Sequence, residues 1–170
     1  MEVMKNYILE RTQVIERSRS ETFAFYSDAF NLERITPPFL RFRILNTSPI
    51  VMGPGALIDH QLRLHGVPIK WRTEITKWEP PARFCDTQLR GPYTEWIHTH
   101  TFDEHDGGTM VRDQVRYRLP GPFFVSRIVN ALMVEPDTRK IFEFRHEALC
   151  GAFNARHTAR VGPVTVERAR

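Results

Sequence analysis

The chain is poor in cysteine: only Cys85 and Cys150 occur among its 170 residues. Two thiols cannot build the disulfide framework of a small secreted scaffold, so a reducing cytoplasm is the default compartment. Long hydrophobic runs are missing too. The most apolar stretch, Ile128–Val134, is far shorter than the roughly 18–20 residues of a membrane span. The opening Met1-Glu2-Val3-Met4-Lys5-Asn6 carries an acid and no apolar run follows, so no secretory signal is expected. A phosphate-cradling glycine loop, a cysteine-pair zinc motif and a nucleophile elbow are all absent. There is also little excess of one charge on the body of the chain. The net charge is +4, but residues 155–170 supply +3 of it through Arg156, Arg160, Arg168 and Arg170 against Glu167. Nucleic-acid binding needs cations clustered on the folded body, so nucleic acid is not an expected partner.

What remains is globular in composition, 41% hydrophobic and 26% charged, with a length suited to one domain. Tyr7–Ile15 reads as a first strand. Ser20-Glu21-Thr22, followed by Phe23, Phe25, Tyr26 and Phe30, reads as the capped start of a short aromatic helix that Pro37-Pro38 closes. Strands follow at Phe39–Leu45, Ala56–His65, Ile69–Trp78, Phe84–Arg90, Glu95–Asp103 and Thr109–Leu119, separated by glycine, proline and aspartate turns. After Pro120-Gly121-Pro122 the period becomes helical. Pro136 suits a first helical turn, and Ile141, Phe144, Ala148, Leu149 and Ala152 form an apolar stripe. This predicts an α+β domain over residues 1–154 and a basic tail, 155–170, expected to be disordered.

Strand alternation sorts the side chains by face. Along Thr109–Leu119 one face holds Arg112, Arg116 and Arg118, and the other holds Val111, Asp113, Val115, Tyr117 and Leu119. The arginines belong in water, so Asp113 points inward. By the same rule Trp96, His98, His100 and Phe102 point inward, as do His60, Trp71 and Thr73. Asp106-Gly107 is the signature of a two-residue hairpin loop. It pairs His100 with Asp113, His98 with Val115, Trp96 with Tyr117 and Phe102 with Val111. A loop at Gly66-Val67 pairs Leu64 with Ile69, Leu62 with Trp71 and His60 with Thr73. For Phe84–Arg90 two parities stay open: Phe84, Asp86 and Gln88 inward, or Cys85, Thr87 and Leu89.

Histidines, an aspartate and a tyrosine on one inner face are a costly way to fill a core, since an unpartnered buried polar group loses about 1–3 kcal/mol. They form a dry network or line a cavity; their accumulation favours the cavity. His98-X-His100 with Asp113 also offers ligand types suited to zinc or iron, but the pattern is weak and no metal or other cofactor is expected.

Three stretches carry a family resemblance. They are Gly55–His65 with Pro68–Thr73 and Trp78-Glu79-Pro80-Pro81, then Gln88–Tyr93 with Trp96–Phe102, then Asp113–Tyr117. They resemble the SRPBCC (START/Bet v 1-like) superfamily, in its bacterial ligand-binding or polyketide-cyclase-like branch. The resemblance implies a helix-grip fold, a curved antiparallel sheet of about seven strands around a long C-terminal helix, with two short helices after the first strand. It implies a hydrophobic small-molecule partner, leaves homodimerisation open, and suggests a link to epimerase-like oxidoreductases to which such domains are fused.

The expected function is binding of a hydrophobic molecule between sheet and helix, with acid/base cyclisation, dehydration or isomerisation of a polyketide-like substrate. His100 oriented by Asp113 would move the proton, with His98 or Tyr117 donating to a carbonyl or enolate oxygen. The ligand-lining candidates are His60, Trp71, Thr73, Asp86, Gln88, Trp96, Phe102, Val115 and Phe144. The alternative is a non-catalytic carrier or sensor of a lipid-like or aromatic molecule.

Overall fold

A computed structural model describes residues 6–153 and 162–169. Eight strands form one antiparallel sheet: β1 (Tyr7–Ile15), β2 (Arg43–Ile44), β3 (Leu57–Leu64), β4 (Val67–Glu79), β5 (Arg83–Arg90), β6 (Glu95–His105), β7 (Gly108–Arg118) and β8 (Thr165–Arg168). Their spatial order is β2-β3-β4-β5-β6-β7-β1-β8. Two short helices, α1 (Arg19–Tyr26) and α2 (Asn31–Arg34), follow β1. The long C-terminal helix consists of α3 (Phe123–Val129), a π turn (Asn130–Val134) and α4 (Glu135–Ala152). No helix among the described residues is long and apolar enough to cross a membrane.

The β6–β7 register is the expected one, with His100 opposite Asp113, His98 opposite Val115, Trp96 opposite Tyr117 and Phe102 opposite Val111. Asp106 and Gly107 both adopt positive φ, 25° and 80°, as a two-residue loop that matches strand twist requires. At β3–β4 the loop is His65-Gly66 instead of Gly66-Val67, again with both φ positive. Leu64 therefore pairs with Val67, Leu62 with Ile69 and His60 with Trp71. The slip is two residues, so every side chain keeps its face. On β5 the open parity resolves to Phe84 and Asp86 facing inward, while Cys85 meets Thr99 on the outer face.

Three local expectations change. Ser18, not Ser20, caps α1, because only Ser18 stands three residues before Glu21 and completes the reciprocal capping box. On α4 the buried stripe is Thr138, Phe142, Arg145 and Leu149, a rotated face that leaves Phe144 half-buried outside the cavity lining. The third concerns the tail. Residues 165–168 are β8, paired with β1, and Val164 is buried against Tyr7, Leu9 and Phe142. Without β8, β1 would be an open sheet edge, and Val164 supplies the apolar contact that seats the strand. Residues 155–161 and 170 of the expected tail lie outside the described ones.

Candidate functional site

Sheet and α4 enclose a cavity of about 540 Å³, within the range of small-molecule sites. Its aromatic end draws on β3, β4, β6 and the turn before β6. Trp71 and Trp96 meet edge to face at 5.4 Å, Tyr93 lies 4.7 Å from Trp96, and His60 stacks on Trp71 at 5.7 Å between ring centroids.

At the centre of the sheet wall, β5, β6 and β7 bring four titratable side chains together. His98 Nε2 lies 3.1 Å from Asp113 Oδ1, and His100 Nε2 lies 3.2 Å from Asp86 Oδ2. His100 Nδ1 approaches Asp113 Oδ1 to 2.7 Å, a charge contact rather than an aligned hydrogen bond. His98 Nδ1 is 3.9 Å from Asp86 Oδ2. Adjacent strands space opposed side chains at about 5 Å, which makes such contacts possible. Asp113 has no exposed surface at all.

Charge follows from this geometry. Burial drives Asp113 upward, but the close contacts of His100 and His98 outweigh it and hold the carboxyl far below its ordinary range. Asp86 is also lowered: burial opposes ionisation, but His100's hydrogen bond and His98's charge prevail. Burial pushes His100 down, yet its contacts with both carboxylates raise it above the ordinary histidine value. His98 is lowered by burial and by repulsion from His100. Within the cluster the proton is thus favoured at His100, held between two carboxylates, over His98 beside it. His60, without a partner at Nδ1, is pushed by burial down to about 4.

Among the expected residues, His60, Trp71, Thr73, Asp86, Trp96, His98 and His100 line the cavity. Asp113 stands behind the two histidines. The others do not reach it. Gln88 secures the turn after β5, donating from Nε2 to the Tyr93 carbonyl at 2.7 Å. Phe102 and Val115 are fully buried core residues. Tyr117 spends its hydroxyl on Asn130 Oδ1 at 2.7 Å, so it donates to the π turn rather than to a ligand. Phe144 is replaced on the helix wall by Phe142, Ile141 and Arg145. The helical spacing of 138, 142, 145 and 149 could have marked that face, but an arginine in the stripe concealed it.

A divalent ion could be held here as well. Asp86, His98 and His100 present ligand atoms all within 4.8 Å of one another. Two imidazoles and a carboxylate suit zinc or iron, and Asp113 behind both rings is placed as an orienting partner would be.

No protein-family model matches the chain, and no curated protein matches it. Solved structures do. An aromatase/cyclase, ZhuI, from a Streptomyces species is similar at 14% identity, with 86% of this chain and 96% of that one covered and a TM-score of 0.65. Ginseng major latex-like protein 151 from Panax ginseng is similar at 8% identity, covering 88% of this chain and 98% of the other, TM-score 0.64. Protein Ms6760 from Mycobacterium smegmatis shares 18% identity over 88% of this chain and 92% of its own, TM-score 0.63. Likeness at such identities speaks for architecture alone, and in architecture the chain has the helix-grip fold.

Proposed function

We propose that the chain binds a hydrophobic small molecule in this cavity and moves protons on it, in a cyclisation, dehydration or isomerisation of a polyketide-like carbonyl compound. The observation that carries this reading is the placement of His100 and Asp86 on the cavity wall with Asp113 sealed behind them. A carbonyl against this wall would gain a proton on oxygen from the His100 imidazolium, while Asp86 accepts one from the adjacent carbon. The enol forms with no net proton gained or lost by the pair. His98 takes the hydrogen-bonding role that Tyr117 cannot fill. The aromatic end holds the apolar body of the substrate. A content of only two cysteines suits a reducing cytoplasm.

The test is deuterium exchange into 2-acetylnaphthalene in heavy water, followed by mass spectrometry. The wild-type chain is expected to accelerate exchange, and His100→Ala to lower the rate at least ~100-fold with binding retained. Equal exchange in the variant would remove His100 from the chemistry. No exchange in either, with the molecule bound and recovered unchanged, would favour the carrier or sensor reading, which the largely apolar lining also supports.

A metal reading has its own support in the Asp86–His98–His100 donor set. Treatment with a chelator is expected to leave exchange unchanged. Loss of exchange that zinc restores would transfer the chemistry to a metal-bound group.

A further inference from the structure

Arg145 projects from α4 into the cavity, and it is the one lysine or arginine among the described lining residues. It is 9% exposed. No carboxylate among the described residues lies within ion-pair distance of its guanidinium, and its Nε is buried without a hydrogen-bond partner. The lining carboxylates are accounted for elsewhere. Asp86 contacts His100, Asp137 pairs with His65 at 2.7 Å at the rim, and Asp28 accepts from the Phe30 backbone. Phe142 lies 5.1 Å from the guanidinium carbon, a ring contact that supplies no counter-ion.

A guanidinium keeps its charge in proteins. A buried ion without a counter-ion is costly. The described residues do not supply that anion, which leaves its place to a bound component. Tyr26 stands in the same cavity. Its hydroxyl accepts from Gln13 Nε2 at 2.9 Å, and its own O–H has no acceptor among the described residues. An arginine fork and a free hydroxyl make a donor set for a planar carboxylate. Phe142 also meets His98, at 6.1 Å between rings, so an anion on Arg145 lies across one ring from the His–Asp cluster.

We propose that Arg145, with Tyr26, forms a carboxylate subsite, so that the ligand is an amphiphilic acid. Its carboxylate pairs with Arg145 and its apolar body lies along Trp71 and Trp96. The inference rests on the cavity reading above and narrows it to a chemical class. It also sets polarity within the site: the acid end faces α4 and the carbonyl to be enolised faces the sheet.

Calorimetric titration of 2-naphthoate and of its neutral methyl ester tests this. Wild type is expected to bind the acid at least tenfold more tightly than the ester. Arg145→Met should weaken the acid at least tenfold, leave the ester unchanged, and melt no lower than wild type, since it removes an uncompensated charge. Arg145→Lys, which keeps the charge but loses the fork, should fall between the two. If the ester binds wild type as tightly as the acid, or if Arg145→Met keeps the preference, the subsite is overturned and the cavity reading stands. If neither probe binds wild type, both fall together. A collapse of folding in Arg145→Met would show that the charge is compensated within the fold, and would also overturn the subsite.

Discussion

At the centre of the sheet wall, the buried titratable groups answer one another: Asp113 holds both His98 and His100, and Asp86 holds His100 from the cavity side. The helix wall, a few ångströms across the same space, does not behave this way. There Thr138 satisfies its hydroxyl on the Val134 carbonyl one turn back, while among the described residues Arg145 finds only the ring of Phe142. The difference lies in the geometry of the elements. Opposed residues on neighbouring strands have side chains side by side, so a sheet can close a polar network within itself. A helix shows a cavity one stripe of residues, and their only lateral neighbours are one turn away. Polar groups on such a stripe must look across the gap. The sheet therefore closes its charged groups on one another, and among the described residues the helix leaves one without a counter-ion.

Removing Asp113 should break this contrast most sharply. Asp113→Ala takes away the carboxylate that both imidazoles share, and loss of one partner from a buried charged group costs about 3–5 kcal/mol. Urea denaturation would measure it. A loss below about 1 kcal/mol would mean the histidines do not depend on that carboxylate. The helix wall can be probed in the same way through its phenylalanines. Phe142 is 5% exposed, so Phe142→Ala should cost about 3–5 kcal/mol, as large cavities in cores do. The half-buried Phe144 should cost distinctly less. Equal losses would place the buried stripe where the sequence alone had put it, with Phe144 inside.

That rotated stripe also shows where the sequence could be read and where it could not. The β6–β7 hairpin was legible to the residue, because Asp106-Gly107 fixes the loop and alternation fixes the face. These two features alone bring His98, His100 and Asp113 together. Asp86 was left open by the Gly91-Pro92 turn, which permits either parity, and it proved to be His100's second carboxylate. Tyr117 and Gln88 were read as polar groups free for a ligand because alternation reports direction only. Their partners, Asn130 in the π turn and the Tyr93 backbone, come from elements whose positions depend on tertiary packing. Arg145 is hidden from the sequence for a reason of energy. A hydrophobic-stripe reading favours Phe144, and nothing local announces that a charge will be buried without its counter-ion. The β8 pairing was hidden similarly, in a short strand whose seat is the edge of β1.

His60 is the exception on the sheet wall, and it sharpens the comparison with the smallest expected effect. It sits between Phe42 and Trp71 with Nδ1 unpartnered, so burial holds it down to about 4. In the unfolded chain it returns to about 6.5. The unfolded state therefore binds the proton first as pH falls. His60's contribution to stability is full above pH 6.5 and drains away between 6.5 and about 4, by at most about 3 kcal/mol. His100 works in the opposite sense. Its raised value contributes stability that is fully present below 6.5 and is lost as pH rises through its folded value. Wild type alone would mix the two, so the informative quantity is a difference. His60→Gln should gain on wild type by about 3 kcal/mol in urea denaturation as pH falls from 7 to 4. A gap that stays constant would mean that His60 has a partner after all, and that the sheet wall satisfies its polar groups along its whole length.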